Sequence, residues 1–325
     1  MAFPERSLTY APLLIAVGAS RDAGSALGAT SARAGAAERL IPLLCDGGAQ
    51  VAEAVTSGAA LAGALPLPDL VTAVAAGAPL VAFGALTRRW GGQLVVAHEA
   101  ELPRRAEGLR DGSWRAARVG LQTGSDGSER LVRLWLLAAG SGPMSHGAYL
   151  ERDPWAGEPR WLGFSTGEGL VAALKDGRIA AFVGPSSAAA QAVILGAGEV
   201  VANFSDGSTA ADVSAALPAV LAARQERIGD PALTDLRAAC ARAGVDLAGD
   251  EGPALVSRTF RERDPLTLRL ALRLDVSGPP LGGVYAADGL LAVAAVERYL
   301  ELATAAGATP SVAAASLVAA GEVAP

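Results

Sequence analysis

A chain of 325 residues with 51% apolar and 18% charged side chains has the apolar surface for about two packed domains, which excludes an extended disordered protein. A formal charge of -6 offers no basic face for nucleic acid, and Lys175 is the single lysine beside many arginines. Two cysteines and two histidines, far apart in the chain, supply neither a disulfide framework nor a short-spaced metal-ligand pair, so no metal is expected. With no Walker loop and no GxGxxG after a strand, no nucleotide cofactor is expected either.

The first twenty residues carry Arg6 offset by Glu5, and their apolar run is interrupted by Pro12, unlike the positive start and unbroken core of a signal peptide. The chain as it stands is therefore expected in the cytoplasm, and in the periplasm or outside the cell if exported. Its longest apolar runs, such as 290–296, fall short of the ~20 residues a bilayer requires, so no membrane span is expected. Residues 8–17 read as a first strand and turn. A second strand, 40–44, ends in Cys45, Asp46, Gly47 and Gly48, and a short helix runs on to Ser57 and Gly58. A third strand, 59–65, leads through Pro66, Pro68 and Asp69 into a helix stopped at Gly77, and a fourth strand covers 80–83. Strands alternating with short helices predict parallel sheets covered on both faces, with ligands outside the carboxyl ends of the strands.

Thr87 to Gly92 precede a strand at 94–97, and an Arg-rich crossover leads to Trp114. Residues 117–121 then read as a buried strand, Thr123 to Ser128 as a tight turn, and the apolar spacing of Leu131 to Leu136 as a helix stopped at Gly140. Unpaired N–H groups and the macrodipole make such a helix start suitable for an anion. Ser and Gly also open many helices that bind nothing. Further on come strands at 161–164, 179–183 and 200–204, separated by helices at 170–174 and 191–195, with Gly184, Pro185 and Ser186 ending the middle strand. One more strand at 217–223 precedes helices at 233–243, 266–274 and 290–303.

Taken in order, Tyr10-Ala11-Pro12, Ser57-Gly58, Ala75-Ala76-Gly77, Arg118-Val119-Gly120 with Gly124-Ser125, and Ala173 to Ile179 resemble the sulfonate, nitrate and thiamine-precursor solute-binding proteins. The resemblance spans residues 8 to 205 and rests on order and spacing rather than on any single motif. It implies a type II periplasmic-binding-protein fold: α/β, two lobes, each a mainly parallel sheet flanked by helices, joined by two crossovers. Residues 1–98 would form the first part of lobe I, 99–205 lobe II, and 206–325 the completion of lobe I with C-terminal helices. Members of that family often carry an Asp soon after the glycines matching Gly58 and Gly177; here Ala60, Ala180 and Ala181 stand instead.

The function so implied is capture of a small anionic organic ligand, such as a sulfonate, carboxylate or thiamine precursor, between the lobes by hinge closure, with an ABC permease as possible partner. Candidate ligand-binding residues are Tyr10, Pro12, Cys45, Asp46, Arg88, Arg89, Thr123, Gly124, Ser125, Ser128, Phe164 and Ser186. Either of Arg88 and Arg89 would grip one end of an anion and the 123–128 turn the other, through charge-assisted bonds of about 1.5 to 3 kcal/mol. Tyr10, Trp90, Trp161 and Phe164 would be apolar walls. The alternative is a cytosolic enzyme on the same fold, acting on a small organic acid or heterocycle, with Cys45 as nucleophile and His98 or His146 to activate it. The plain readings of those three are a packed thiol, a crossover residue and a loop residue.

Overall fold

A computed structural model describes residues 1–3, 7–22, 41–109, 111–123, 131, 132, 134–136, 159–206, 209, 211–276, 283–305, 312–319, 323 and 324. Two five-stranded sheets form its two lobes. The first joins β1 (Ala2–Phe3), β2 (Leu43–Leu44), β3 (Ala62–Pro66), β4 (Leu80–Ala85) and β10 (Ala219–Arg224) in the order β2-β1-β3-β10-β4. The second joins β5 (Gln93–Ala97), β6 (Arg118–Gln122), β7 (Arg160–Phe164), β8 (Ala181–Gly184) and β9 (Gly198–Asn203) in the order β7-β6-β8-β5-β9. In each sheet one strand runs against both neighbours: β10 against β3 and β4, and β5 against β8 and β9. Each is the strand that enters its sheet straight from a crossover. The mainly parallel, two-lobed α/β architecture is the one expected.

Strand side chains alternate between two cores, which explains why the strands read as continuous apolar runs. In the second sheet Leu94, Val96, Val119, Leu121 and Val183 face a core containing Trp114, Trp135 and Phe204. Val95 and Phe182 face the opposite way, onto α4 (Gly167–Lys175) and α5 (Ser186–Ile194). In the first sheet Leu65 and Val220 meet α2 (Gly48–Thr56) and α3 (Leu67–Ala75), while Phe83 and Leu221 meet α1 (Ala11–Asp22) and α7 (Pro231–Ala248). Between α5 and α7 in the chain lies α6 (Ala211–Ala215). The remaining helices are α8 (Gly252–Thr259), α9 (Pro265–Val276), α10 (Val293–Ala305) and α11 (Ala314–Leu317), and β11 (Leu291–Ala292) pairs with β12 (Val323–Ala324). Among the described residues no helix is long and apolar enough to cross a membrane.

Two expectations are corrected. Residues 8–17 are a 3-10 turn, Leu8–Tyr10, running into α1, and the first strand is Ala2–Phe3. Tyr10, Leu13 and Val17 are buried at helical spacing, and Pro12 falls in the first turn, where its missing N–H costs nothing. The boundary after residue 98 falls beyond β5, whose strand hydrogen bonds all lie in the second sheet, so the first crossover is 86–92 rather than the Arg-rich stretch. The second crossover is 204–218, between β9 and β10. Gly58 (φ 81°) and Gly177 (φ 66°) follow the C-caps of α2 and α4. Their left-handed backbone explains the glycines in the motif without any ligand.

Candidate functional site

The carboxyl ends of β6, β7 and β8 open on a cleft of about 390 Å³. Its floor is Gln122 at the end of β6, with Ser165 to Glu168 after β7 and Pro185 to Ser187 after β8 beside it. Ser7, just before the turn that leads into α1, reaches it from the other lobe. Glu262, Arg263 and Asp264, ahead of α9, form the rim.

Three helices begin around this cleft, and they are not equivalent. Thr166 Oγ1 accepts from Gly169 N at 3.1 Å and caps α4. Asp264 accepts from Thr267 N at 2.7 Å and from Thr267 Oγ1 at 2.8 Å, caps α9, and has its carboxyl held below the usual range by those donors. The third, α5, starts after Pro185 with no side-chain cap; Ala188 N and Ala189 N donate to the Pro185 carbonyl, and the Ser186 and Ser187 N–H groups ahead of them have no capping side chain. The α4 start is packed so closely that a Cβ on Gly167 would lie 3.0 Å from Ala188 Cβ and 3.4 Å from Gln122 Oε1. Gln122 itself is 7% exposed and its Oε1 has no hydrogen-bond partner; Ser7 Oγ is likewise buried and unpaired. Buried polar atoms without partners are uncommon in folded proteins, and here they stand at the walls of one cleft.

The residues singled out in the sequence distribute unevenly around it. Ser186 stands at the start of α5, but its hydroxyl is committed to Asp275. Thr123 follows β6, and its N–H and Oγ1 are bonded to the Phe164 carbonyl at 2.8 and 3.3 Å. The Phe164 ring packs on the α4 face of the second sheet. Gly124, Ser125, Ser128 and His146 lie outside the described residues. Tyr10 and Pro12 are buried at the start of α1. Arg88 is exposed and paired with Asp288 at 2.9 Å. Arg89, on the first crossover, is 7% exposed, and its Nε and Nη1 have no hydrogen-bond partner. Burial weakens its hold on its proton, and Asp206 on the second crossover partly restores it.

Cys45 sits in the first-sheet core after β2, with its thiol pushed up chiefly by burial and then by Asp46. Asp46 is exposed, its N–H bonded to Gln50 Oε1 at 3.0 Å. His98 is exposed after β5 on the other lobe, so Cys45 and His98 belong to different sheets. A protonated, core-packed thiol is a poor nucleophile. Gln122, Gly167 and Ser7 escaped notice in the sequence. Gln122 had one usable signal, a polar residue ending an apolar strand, and Gly167 another, its place after the Ser165-Thr166 cap.

No protein-family model and no curated protein matches the chain. Solved structures do. The alkanesulfonate-binding protein SsuA from Xanthomonas axonopodis pv. citri, bound to MOPS, is similar over 97% of this chain and 96% of that one, at 15% identity and a TM-score of 0.64. The periplasmic aliphatic sulphonate binding protein SsuA from Escherichia coli is similar over 100% of this chain and 92% of its own, at 14% identity and a TM-score of 0.65. The periplasmic nitrate-binding protein NrtA from Synechocystis PCC 6803 is similar over 85% and 69% of the two chains, at 14% identity and a TM-score of 0.54. At these identities the likeness speaks for the fold. Together with the strand orders of the two sheets, it shows that the chain has the two-lobed type II periplasmic-binding-protein fold.

Proposed function

We propose that the protein binds a small organic anion in the cleft between its lobes and closes on it about the two crossovers, as the solute-binding component of an ABC importer. The observation that carries this reading is the uncapped start of α5 beside the buried, unpaired Gln122, with Ser7 approaching from the opposite lobe. Free N–H groups at a helix start favour a carboxylate, sulfonate or phosphate, and a buried amide supplies directional contact. That similar structures carry sulfonate- and nitrate-binding names supports the same ligand class. Lobe I then comprises the first sheet with α1 to α3 and α7, lobe II the second sheet with α4 and α5, and 86–92 and 204–218 the hinge. Arg89, buried on the first crossover with Nε and Nη1 unpaired, is a further candidate for holding an anion.

Native mass spectrometry of the full chain with a panel of sulfonates, carboxylates, phosphates and pyrimidines tests the reading, backed by thermal shift. A true ligand at about a hundred times its dissociation constant stabilises by about 2.7 kcal/mol, which raises the melting temperature by several degrees. Recovery of the compound unchanged is expected. Turnover, or a covalent adduct on the chain, would replace the receptor reading with the enzyme one.

A further inference from the structure

The three helix starts around the cleft differ in the negative charge that already stands on them. Glu168 lies in the first turn of α4, and Asp264 caps α9 with a carboxyl that its donors hold in the ionised form. Each therefore offsets the partial positive charge, about half a unit, that its helix presents. The first turn of α5 carries no acidic residue. An anionic group on a ligand thus has one favourable place in the cleft, at the Ser186 and Ser187 N–H groups.

The rest of the cleft is negative. Among its described lining residues, Glu168, Glu262 and Asp264 stand against a single cation, Arg263. Apart from these and Gly167, Pro185 and Ala188, the described lining is hydroxyl and amide, with no aromatic ring and no long aliphatic side chain. Such walls neither stack a heterocycle nor cover an alkyl tail. A second observation points the same way. Gln122 lines this cleft at 7% exposure, and the atom of its amide left without a partner is the oxygen, an acceptor. A ligand made only of acceptor oxygens leaves that atom unsatisfied, whereas a ligand N–H supplies what it lacks.

We propose that the cleft selects a short zwitterion: its anionic group sits on the α5 start and, a few bonds away, its protonated amine is held by the carboxylates of Glu168, Glu262 and Asp264, with the Gln122 carbonyl as a further acceptor. This assigns the substrate class of the solute-binding cleft and rests on that reading. As the lobes close and water leaves, the attraction of the carboxylates for an amine and their repulsion of a second anion both grow. A ligand with an anionic group alone gains the α5 contact and is opposed by the rest of the cleft.

The test is titration calorimetry of the full chain against matched pairs that differ in the amine alone: β-alanine and propionate, 2-aminoethyl phosphate and ethyl phosphate, 2-aminoethanesulfonate and ethanesulfonate. Using three pairs leaves the anionic group open. In at least one pair the amine-bearing member is expected to bind about tenfold tighter or more, the range of one charge-assisted hydrogen bond. Glu168→Gln and Glu262→Gln, at exposed side chains, are expected to bring the two members of that pair toward parity. Equal or tighter binding of the amine-free member in every pair overturns the inference and leaves the solute-binding reading standing. A preference undiminished in the double variant also overturns it, because the amine is then held elsewhere. Absence of binding by all three pairs overturns the inference too. The wider panel of sulfonates, carboxylates, phosphates and pyrimidines then decides the solute-binding reading: a ligand without an amine keeps that reading, and none at all removes it.

Discussion

At the scale of single residues, burial decides which candidates can act. Cys240 is fully enclosed and its thiol is pushed up to about 12, and Cys45 is raised in the same direction. Neither is then a thiolate near neutral pH, and iodoacetamide is expected to leave both unmodified in the folded chain and to alkylate both once denaturant is added. Mass spectrometry before and after denaturation reads this directly; rapid alkylation of Cys45 in the native state would restore it as a nucleophile. Gly167 offers a second check. A side chain there meets Ala188 at 3.0 Å and Gln122 at 3.4 Å, so Gly167→Val is expected to cost about 1–3 kcal/mol of overpacking and to weaken ligand binding at least tenfold. Unchanged affinity in titration calorimetry would move the site elsewhere. Little of this was legible in the sequence. Asp275 does stand on the apolar stripe formed by Leu268, Ala271 and Leu272, an acid where a leucine is expected, but its partners Ser186 and Ser205 are about seventy residues or more away and only the fold brings them to it.

At the scale of elements, the sequence was far more informative, because strands buried on both faces and helices ending in glycine leave local marks. The strands from β3 onward in each sheet and the helices α4, α7, α9 and α10 fall within a few residues of their expected spans. The failure at residues 8–17 has a simple cause. A short apolar run satisfies both the strand and the helix pattern, and only packing of Leu13 and Val17 against α7 separates them. The two antiparallel strands were also invisible locally, since direction is set by the crossovers and not by side-chain pattern. Helix starts around the cleft lend themselves to a test at this scale. Removing the α4 cap by Thr166→Ala leaves the Gly169 N–H unpaired and is expected to cost about 1 kcal/mol, seen as a lower denaturation midpoint of the chain without ligand. At the uncapped α5 start the balance differs: Ser187→Pro removes an uncapped N–H from a residue that lines the cleft and is expected to reduce affinity more than stability.

For the molecule as a whole, the buried carboxyl of Asp275 at the end of α9 makes stability depend on pH. Asp275 has its folded value raised from 3.8 to about 7, so the unfolded chain gives up this proton at lower pH than the folded one. Below the unfolded value both states are protonated and burial of the acid costs little. As pH rises from there to about 7 the unfolded state is progressively favoured, and above 7 the penalty is constant, on the order of 4 kcal/mol at one pKa unit per 1.36 kcal/mol. The carboxyls of Asp111 and Asp264 are lowered and act with the opposite sign, losing their contribution in acid. The wild-type curve therefore mixes both. Its difference from Asp275→Asn isolates the buried acid, because every other carboxyl is common to the two chains. Melting temperatures across this range are expected to converge in mild acid and to separate as pH rises, with the Asn variant the more stable near pH 8. Parallel curves would mean that Asp275 keeps the same charge in the folded and unfolded chains.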